Sequence, residues 1–149
     1  MDKNTKRQID VINQRIKELG AVYRMAAVKS GGSDSEVYIW SILLNSESED
    51  EYSKYDLCEL LSLPKQTINS IVSNLIKKGF VFLEHVPGTR NRKVIRLTKE
   101  GLAYGTEKIM WIFRAEEKTL EQTDPVQVQT CIELTEKFIT LLKKEIGVE

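Results

Sequence analysis

The chain has 149 residues, a length suited to one globular domain with a short additional element. Its 41% apolar and 30% charged residues exclude a disordered chain, and its apolar runs are shorter than the ~18 residues that span a bilayer. The two cysteines lie far apart, which disfavours a disulfide scaffold or a cysteine zinc site, and the polar N-terminus predicts no signal peptide, so we expect a cytoplasmic protein.

The first predicted element is a long helix that ends near Ser30, followed by Gly31 and Gly32. Its apolar residues recur at intervals of three and four: Ile9, Ile12, Ile16, Leu19, Tyr23 and Ala26. This seam is typical of a helix that packs along a partner helix, and an ordinary core helix would also carry it. Ser33 and Glu36 then predict a capping box for a second helix. The inner positions of that helix are Val37, Trp40, Ser41 and Leu44, and an acidic loop over 45–51 follows.

Two short helices come next. Ser53 is placed to cap the first, whose apolar positions are Leu57, Leu60 and Leu61. Pro64 forces that helix to end and is well placed to begin the next, which is predicted over about 64–78. Its inner positions are Ile68, Ile71, Val72 and Leu75, and Gly79 ends it.

A hairpin and two further helices complete the predicted fold. Strands are expected over 80–86 and 94–97, with a loop that begins at Pro87-Gly88 and carries three cations. Thr98 is predicted to cap a helix that runs to about Leu120, with Leu102, Gly105, Ile109, Ile112 and Phe113 inward. Asp124-Pro125 opens a last helix, whose apolar seam is Val128, Ile132, Thr135, Ile139, Leu142 and Ile146.

The charge is unevenly distributed along the chain. The total is 22 basic against 22 acidic residues, a net charge of zero that by itself argues against a nucleic-acid binder. Residues 64–99, however, hold eight basic residues and one acidic residue, a net charge of +7. The helix over 64–78 has no acid, and its outer face carries neutral donors and acceptors with one cation, which suits contact with DNA. A solvated polar face is the alternative interpretation.

Residues 53–101 resemble the MarR (multiple antibiotic resistance regulator) family of bacterial transcription factors. The resemblance rests on an ordered set of segments: Asp56-Leu57-Cys58-Glu59-Leu60-Leu61-Ser62-Leu63, then 64–72, then Leu75-Ile76-Lys77-Lys78-Gly79-Phe80-Val81, the wing residues 88–93, and Leu97-Thr98-Lys99-Glu100-Gly101. It implies a mainly α fold with a small β-hairpin wing, in which a winged helix-turn-helix domain is joined to a helical dimerisation arm. Residues 33–101 would be the DNA-binding domain, 1–32 and 121–149 the dimerisation region, and 102–120 the helix linking them.

The resemblance implies a homodimer on a pseudo-palindromic double-stranded DNA operator. It also implies a repressor whose DNA affinity is lowered by a small-molecule effector or by cysteine oxidation. Ser70 and Thr89 depart from the family pattern, so its operator sequence is not transferable, and 1–32 lack the cysteine of its peroxide sensors. Arg90 matches the usual wing arginine. The expected DNA-binding residues are Lys65, Gln66, Thr67, Asn69, Ser70, Ser73, Asn74, Arg90, Arg92 and Lys93, with Arg92 and Lys93 suited to phosphates.

By the same resemblance, Tyr23, Trp40 and Trp111 lie on helices that surround an effector cleft, where aromatic residues would line a ligand pocket; each would also serve an ordinary core. Structural roles are expected for His85, the single histidine, and for Cys58 and Cys131. We expect no catalytic residue, metal site, cofactor or membrane association. The alternative function is a winged-helix module that binds a protein partner and not DNA.

Overall fold

The computed structural model describes residues 1–45 and 51–148, so most of the predicted acidic loop lies outside the described residues. The described part consists of seven helices and one hairpin. In chain order these are α1 (Lys3–Lys29), α2 (Asp34–Asn45), α3 (Lys54–Leu61), α4 (Lys65–Lys77), β1 (Val81–His85), β2 (Lys93–Leu97), α5 (Lys99–Lys108), α6 (Met110–Glu121) and α7 (Pro125–Ile146). The mainly α fold with a small hairpin is therefore confirmed. The chain divides into two compact units, Met1–Trp111 and Ile112–Glu149.

The core of the first unit is built around α2, α3 and α4. Trp40, Leu57, Ile68, Val72 and Leu75 are all fully buried, as their helical spacing predicted. In α2 the burial extends to Ile39 and Leu43, whereas the predicted inner positions Ser41 and Leu44 are only half-buried. Of the apolar positions of α3, Leu57 alone is buried, and the side chain of Leu60 is 58% exposed.

Local capping chemistry sets the ends of several helices. Ser53 and Asp56 form a full capping box at α3, in which each side chain bonds the backbone of the other residue. At α2 the Ser33 hydroxyl accepts from the Glu36 N–H at 3.2 Å, while the Glu36 carboxylate accepts from the Trp40 indole. Asp124 caps α7 with Pro125 in its first turn, as predicted.

The hairpin pairs Val81 with Leu97 and His85 with Lys93 in antiparallel register. Both strands lie within one residue of their predicted ends. A third segment joins the hairpin, since the Ile95 N–H donates to the Tyr52 carbonyl at 2.8 Å. The hairpin is thereby connected to the residues that lead into α3, a contact that the sequence pattern did not indicate.

Gly101 sits where α5 passes close to Phe80, the residue before β1. A Cβ placed there would lie 1.9 Å from the Phe80 carbonyl oxygen, so no side chain fits without moving backbone. Thr98 holds this junction, because its N–H donates to the Phe80 carbonyl at 3.0 Å and its hydroxyl to the Gly79 carbonyl at 2.6 Å. The close approach explains why a threonine cap is followed by glycine at this point of the chain.

The prediction of one helix from Thr98 to about Leu120 is wrong, because α5 ends at Lys108 and α6 begins at Met110. At the interruption the Trp111 indole N–H donates to the Lys108 carbonyl at 3.1 Å and to the Ser30 hydroxyl at 3.0 Å. The carbonyl of Lys108, the last residue of α5, therefore accepts from a side chain. Leu102, predicted to face inward, is 53% exposed.

The second unit contains α7, and no residue of this helix is buried within the chain. The predicted seam of α7 is instead open, with Ile132, Ile139 and Ile146 exposed. An apolar groove of about 460 Å³ runs between the end of α6 and the first half of α7, lined by Leu120, Thr123, Gln127, Val128, Cys131, Ile132, Thr135 and Glu136.

Candidate nucleic-acid interface

Helix α4 has one buried face and one polar face. Its buried face fixes the rotation of the helix, because Ile68, Val72 and Leu75 are all fully enclosed in the core. Seven of the predicted DNA-binding residues lie on α4. Two of them, Thr67 and Asn69, are half-buried, and the other five are exposed: Lys65, Gln66, Ser70, Ser73 and Asn74. The polar face therefore offers hydrogen-bonding groups with no carboxylate, which is the chemistry that base edges and phosphates accept.

The turn between α3 and α4 is tight. Ser62 takes a left-handed conformation with φ of 50°, the only such non-glycine residue among those described, and the Leu63 N–H donates back to the Cys58 carbonyl at 3.3 Å. Pro64 follows in an extended conformation as the N-cap of α4. Pro64 was predicted to be the first residue of α4, and it lies one position before that residue. Its restriction of the preceding residue is consistent with the predicted end of α3.

The wing loop folds over a turn at Pro87-Gly88. Gly88 has φ of +79°, and the Val86 carbonyl accepts from the Thr89 hydroxyl at 2.7 Å and from its N–H at 3.3 Å. Arg90 comes directly after this turn and is exposed. The ring of His85 lies beside the loop, with Nε2 3.4 Å from the Arg90 carbonyl oxygen, so the single histidine belongs to the wing.

Two arginines of the basic segment are ion-paired within the chain. Arg92 Nη2 lies 3.0 Å from Asp56 Oδ2, and Arg96 lies 3.2 Å from Glu84 and 3.1 Å from Glu51. The backbone N–H of Ser53 and the Arg92 guanidinium hold the pKa of Asp56 below its usual value. The net charge of +7 therefore overstates the cationic groups that are available to a partner, and Arg92 is engaged by α3.

Between α3 and the wing lies a groove of about 500 Å³, lined by Ser53, Lys54, Tyr55, Leu83, Asn91, Arg92 and Lys93. Sequence reasoning missed Lys54 and Tyr55, which precede the predicted recognition helix by about ten residues. Lys54 is the one basic residue of the acidic segment 30–63. A single cation among so many acids could have indicated a residue of the interface. The groove brings Lys54 and Lys93 to one surface.

The three aromatic residues predicted to border an effector pocket lie in different surroundings. Trp40 is fully buried and packs against Phe80 and Tyr104, with ring centroids 6.0 and 5.6 Å away. Tyr23 lies 6.1 Å from Tyr38. The Trp111 ring carries Lys29 Nζ at 4.8 Å from its centroid. The effector pocket stays a prediction.

Within residues 1–45 and 51–148, no cluster of histidine, cysteine and acidic side chains could hold a metal ion. Over the same ranges, no helix is long and apolar enough to cross a membrane. Cys58 is half-buried and Cys131 is exposed, and both are free thiols.

The helix pair α3–α4 with its tight turn, followed by a hairpin with a basic loop, defines a winged helix-turn-helix protein. Solved structures share this fold over nearly the whole chain. A MarR family regulator from Neisseria meningitidis superposes with a TM-score of 0.81 at 18% identity, over 94% of this chain and 96% of that one. Staphylococcus aureus MepR in its DNA-binding conformation gives a TM-score of 0.75 at 18% identity, over 91% and 98%.

A third similar structure is Bordetella bronchiseptica BpsR, whose DNA binding is regulated by 6-hydroxynicotinic acid. It has a TM-score of 0.65 at 15% identity, over 87% of this chain and 90% of that one. The sequence itself matches no protein-family model and no curated protein. The chain thus has the fold of the MarR family regulators, and the resemblance inferred from its motifs is confirmed at the level of the fold.

Proposed function

We propose that this chain is a dimeric, sequence-specific DNA-binding transcriptional regulator of the cytoplasm, and not an enzyme. The observation that carries the proposal is the acid-free polar face of α4 beside a wing that exposes Arg90. A helix of this kind enters the major groove and reads base edges, and an arginine on a wing suits the negative potential of a narrow minor groove.

The proposal is tested by selecting bound duplexes from random DNA and measuring affinity for the selected site. Asn69→Ala should change base preference at one position, at a cost of about 1–3 kcal/mol. Arg90→Ala should weaken binding to most duplexes and reduce the salt slope by about one phosphate equivalent if it contacts the backbone. Lys144→Ala removes the same charge at an exposed position of α7, outside the winged domain, and serves as the control.

A chain that retains no duplex at micromolar concentration and moderate salt would contradict the proposal. That outcome would favour the alternative, a winged-helix module whose wing cations bind an acidic protein partner. Equal binding by wild type, Asn69→Ala and Arg90→Ala would also contradict it, because the binding surface would then lie elsewhere.

The proposed partner of α1 and α7 is a second copy of the chain. Apolar side chains line both helices at heptad spacing and stay open in the single chain, with Ile16 61% and Ile146 64% exposed. Two winged domains related by a two-fold axis would then reach a pseudo-palindromic site. Sedimentation of Ile139→Glu and of the control Glu133→Gln tests this, since only the first should yield monomers.

We further propose that the regulator is a repressor whose DNA affinity is lowered by a small molecule bound near Tyr23, Trp40 and Trp111. The motif resemblance and the regulation of BpsR by an aromatic acid support this proposal. A reporter placed behind the selected site should fall when the chain is expressed, and a rise would indicate an activator. For the effector, 6-hydroxynicotinic acid is a reasonable first probe of operator release, with Trp111→Phe as the matched variant.

A further inference from the structure

One carboxylate oxygen connects the wing to the helix-turn-helix. Asp56 Oδ2 accepts from the Ser53 backbone N–H at 2.8 Å, which caps α3, and from Arg92 Nη2 at 3.0 Å. The same guanidinium nitrogen lies 3.3 Å from the Glu51 carbonyl oxygen. Arg92 thus bonds both to Glu51, which precedes α3, and to Asp56 in the first turn of that helix.

The position of Arg92 makes this contact an anchor for the wing. Strand pairing ends at His85 and Lys93, and the loop beyond it is held by the Val86–Arg92 backbone bond and the Pro87-Gly88 turn. A two-stranded hairpin is marginally stable by itself. Arg92 is the last residue of the loop and lies two residues from Arg90, so the place where it is held determines where Arg90 is presented.

We infer that Asp56 is a positioning residue for DNA binding, whose carboxylate holds the wing through Arg92 so that Arg90 is presented beside α4. This inference rests on the proposed function. It assigns Arg92 to the anchor, whereas the sequence suggested a phosphate contact. In this role Asp56 acts through Arg92 and needs no contact of its own with DNA.

The anchor and simple electrostatics predict opposite changes in DNA affinity when the charge of Asp56 is removed. An acid near a DNA-binding surface repels phosphate, and its removal would also free Arg92, so charge alone predicts tighter binding by Asp56→Asn. If the carboxylate positions the wing, the same variant binds more weakly, because Arg90 is no longer held. Since the pKa of Asp56 is lowered, the group is ionised at neutral pH, where binding is measured.

The test measures affinity for the selected duplex at fixed salt. Asparagine keeps an oxygen that can accept from the Ser53 N–H, so Asp56→Asn preserves the cap of α3 and removes the charge that holds Arg92. We expect its dissociation constant to rise about tenfold, the scale of one lost charge-assisted hydrogen bond. Arg92→Gln leaves the capping box untouched and should show a similar loss, and the double variant should be no weaker than either single one.

A third measurement asks whether the loss acts through the wing. Arg90→Ala should cost clearly less affinity in the Asp56→Asn background than in wild type, a coupling that a purely structural role for Asp56 would not produce. Glu84→Gln is the matched control: it removes a wing acid whose partner, Arg96, lies on the neighbouring strand, and should leave affinity unchanged or raise it. Thermal unfolding of each variant verifies that the domain is folded.

The outcomes are separable. Wild type that binds no duplex refutes the proposed function, and the anchor with it. If wild type binds while Asp56→Asn binds as tightly or more tightly, the anchor alone is refuted. The anchor is also refuted if Arg92→Gln weakens binding and Asp56→Asn strengthens it, since Arg92 would then contact phosphate directly.

Discussion

Replacing Gly101 with alanine tests the closest backbone contact in the fold. The new Cβ would meet the Phe80 carbonyl oxygen at 1.9 Å, whereas ordinary contacts begin near 3.4 Å, so helix and strand must separate by on the order of 1.5 Å. Overpacking of this kind costs about 1–3 kcal/mol. The movement also strains the 3.0 Å bond from the Thr98 N–H to the same carbonyl, which contributes a further ~1 kcal/mol.

Alanine favours a helix over glycine by roughly 1 kcal/mol, which offsets part of this cost. We therefore expect Gly101→Ala to lower the free energy of unfolding by about 1–3 kcal/mol and the Tm by roughly 2–12 °C. The assay is chemical and thermal unfolding followed by circular dichroism, at one fixed protein concentration because association shifts Tm.

Gly20→Ala supplies the matched control. Gly20 lies within α1, and the nearest atom to its added Cβ is the flexible end of Arg24 at 3.4 Å. The same substitution there should stabilise the chain by about 0.5–1 kcal/mol. If Gly101→Ala matched Gly20→Ala in stability, the close approach of α5 to Phe80 would be refuted.

Three further outcomes are expected. Ser62→Gly should raise the free energy of unfolding by up to about 1 kcal/mol, because it relieves a left-handed residue, and a clear loss in denaturant titration would contradict the turn geometry. Leu57→Ala should cost about 2–5 kcal/mol in the same titration while Leu60→Ala stays within ~0.5 kcal/mol, and equal costs would contradict the burial of α3. The folded-state pKa of Asp56 is lowered, so its stabilisation is complete above the ordinary value of 3.8 and is lost as the pH falls through the folded value. The stability gap between wild type and Asp56→Asn should therefore shrink at acid pH, and a gap independent of pH would exclude an ionised Asp56 as its cause.

Features determined by short stretches of sequence were predictable. The caps at Ser53, Thr98 and Asp124, the stop at Pro64 and the hairpin turn each depend on residues within a few positions of one another. The buried face of α4 followed from helical spacing. These local rules were sufficient to place the polar face of α4 and the exposed Arg90, the two features on which the proposed function depends.

Features that depend on distant residues were not predictable. The ion pair of Arg92 with Asp56 joins residues 36 positions apart, and no periodicity indicates it. The interruption between α5 and α6 coincides with a hydrogen bond from Trp111 to Ser30, 81 positions away. Leu60 and Leu102 have helical spacing, yet short helices turn too few residues inward for spacing alone to assign each position.

Because no residue of α7 is buried within the chain, a mutant chain expressed beside the wild type should have a predictable effect. If a second copy covers this helix, every chain with intact α1 and α7 can be drawn into a shared dimer, whatever the state of its winged domain. Expressing Arg90→Ala beside the wild-type gene should then be dominant negative, because mixed dimers hold one competent wing and cannot engage both half-sites. Adding Ile139→Glu to the same mutant chain should abolish this interference and restore regulation by the wild-type copy.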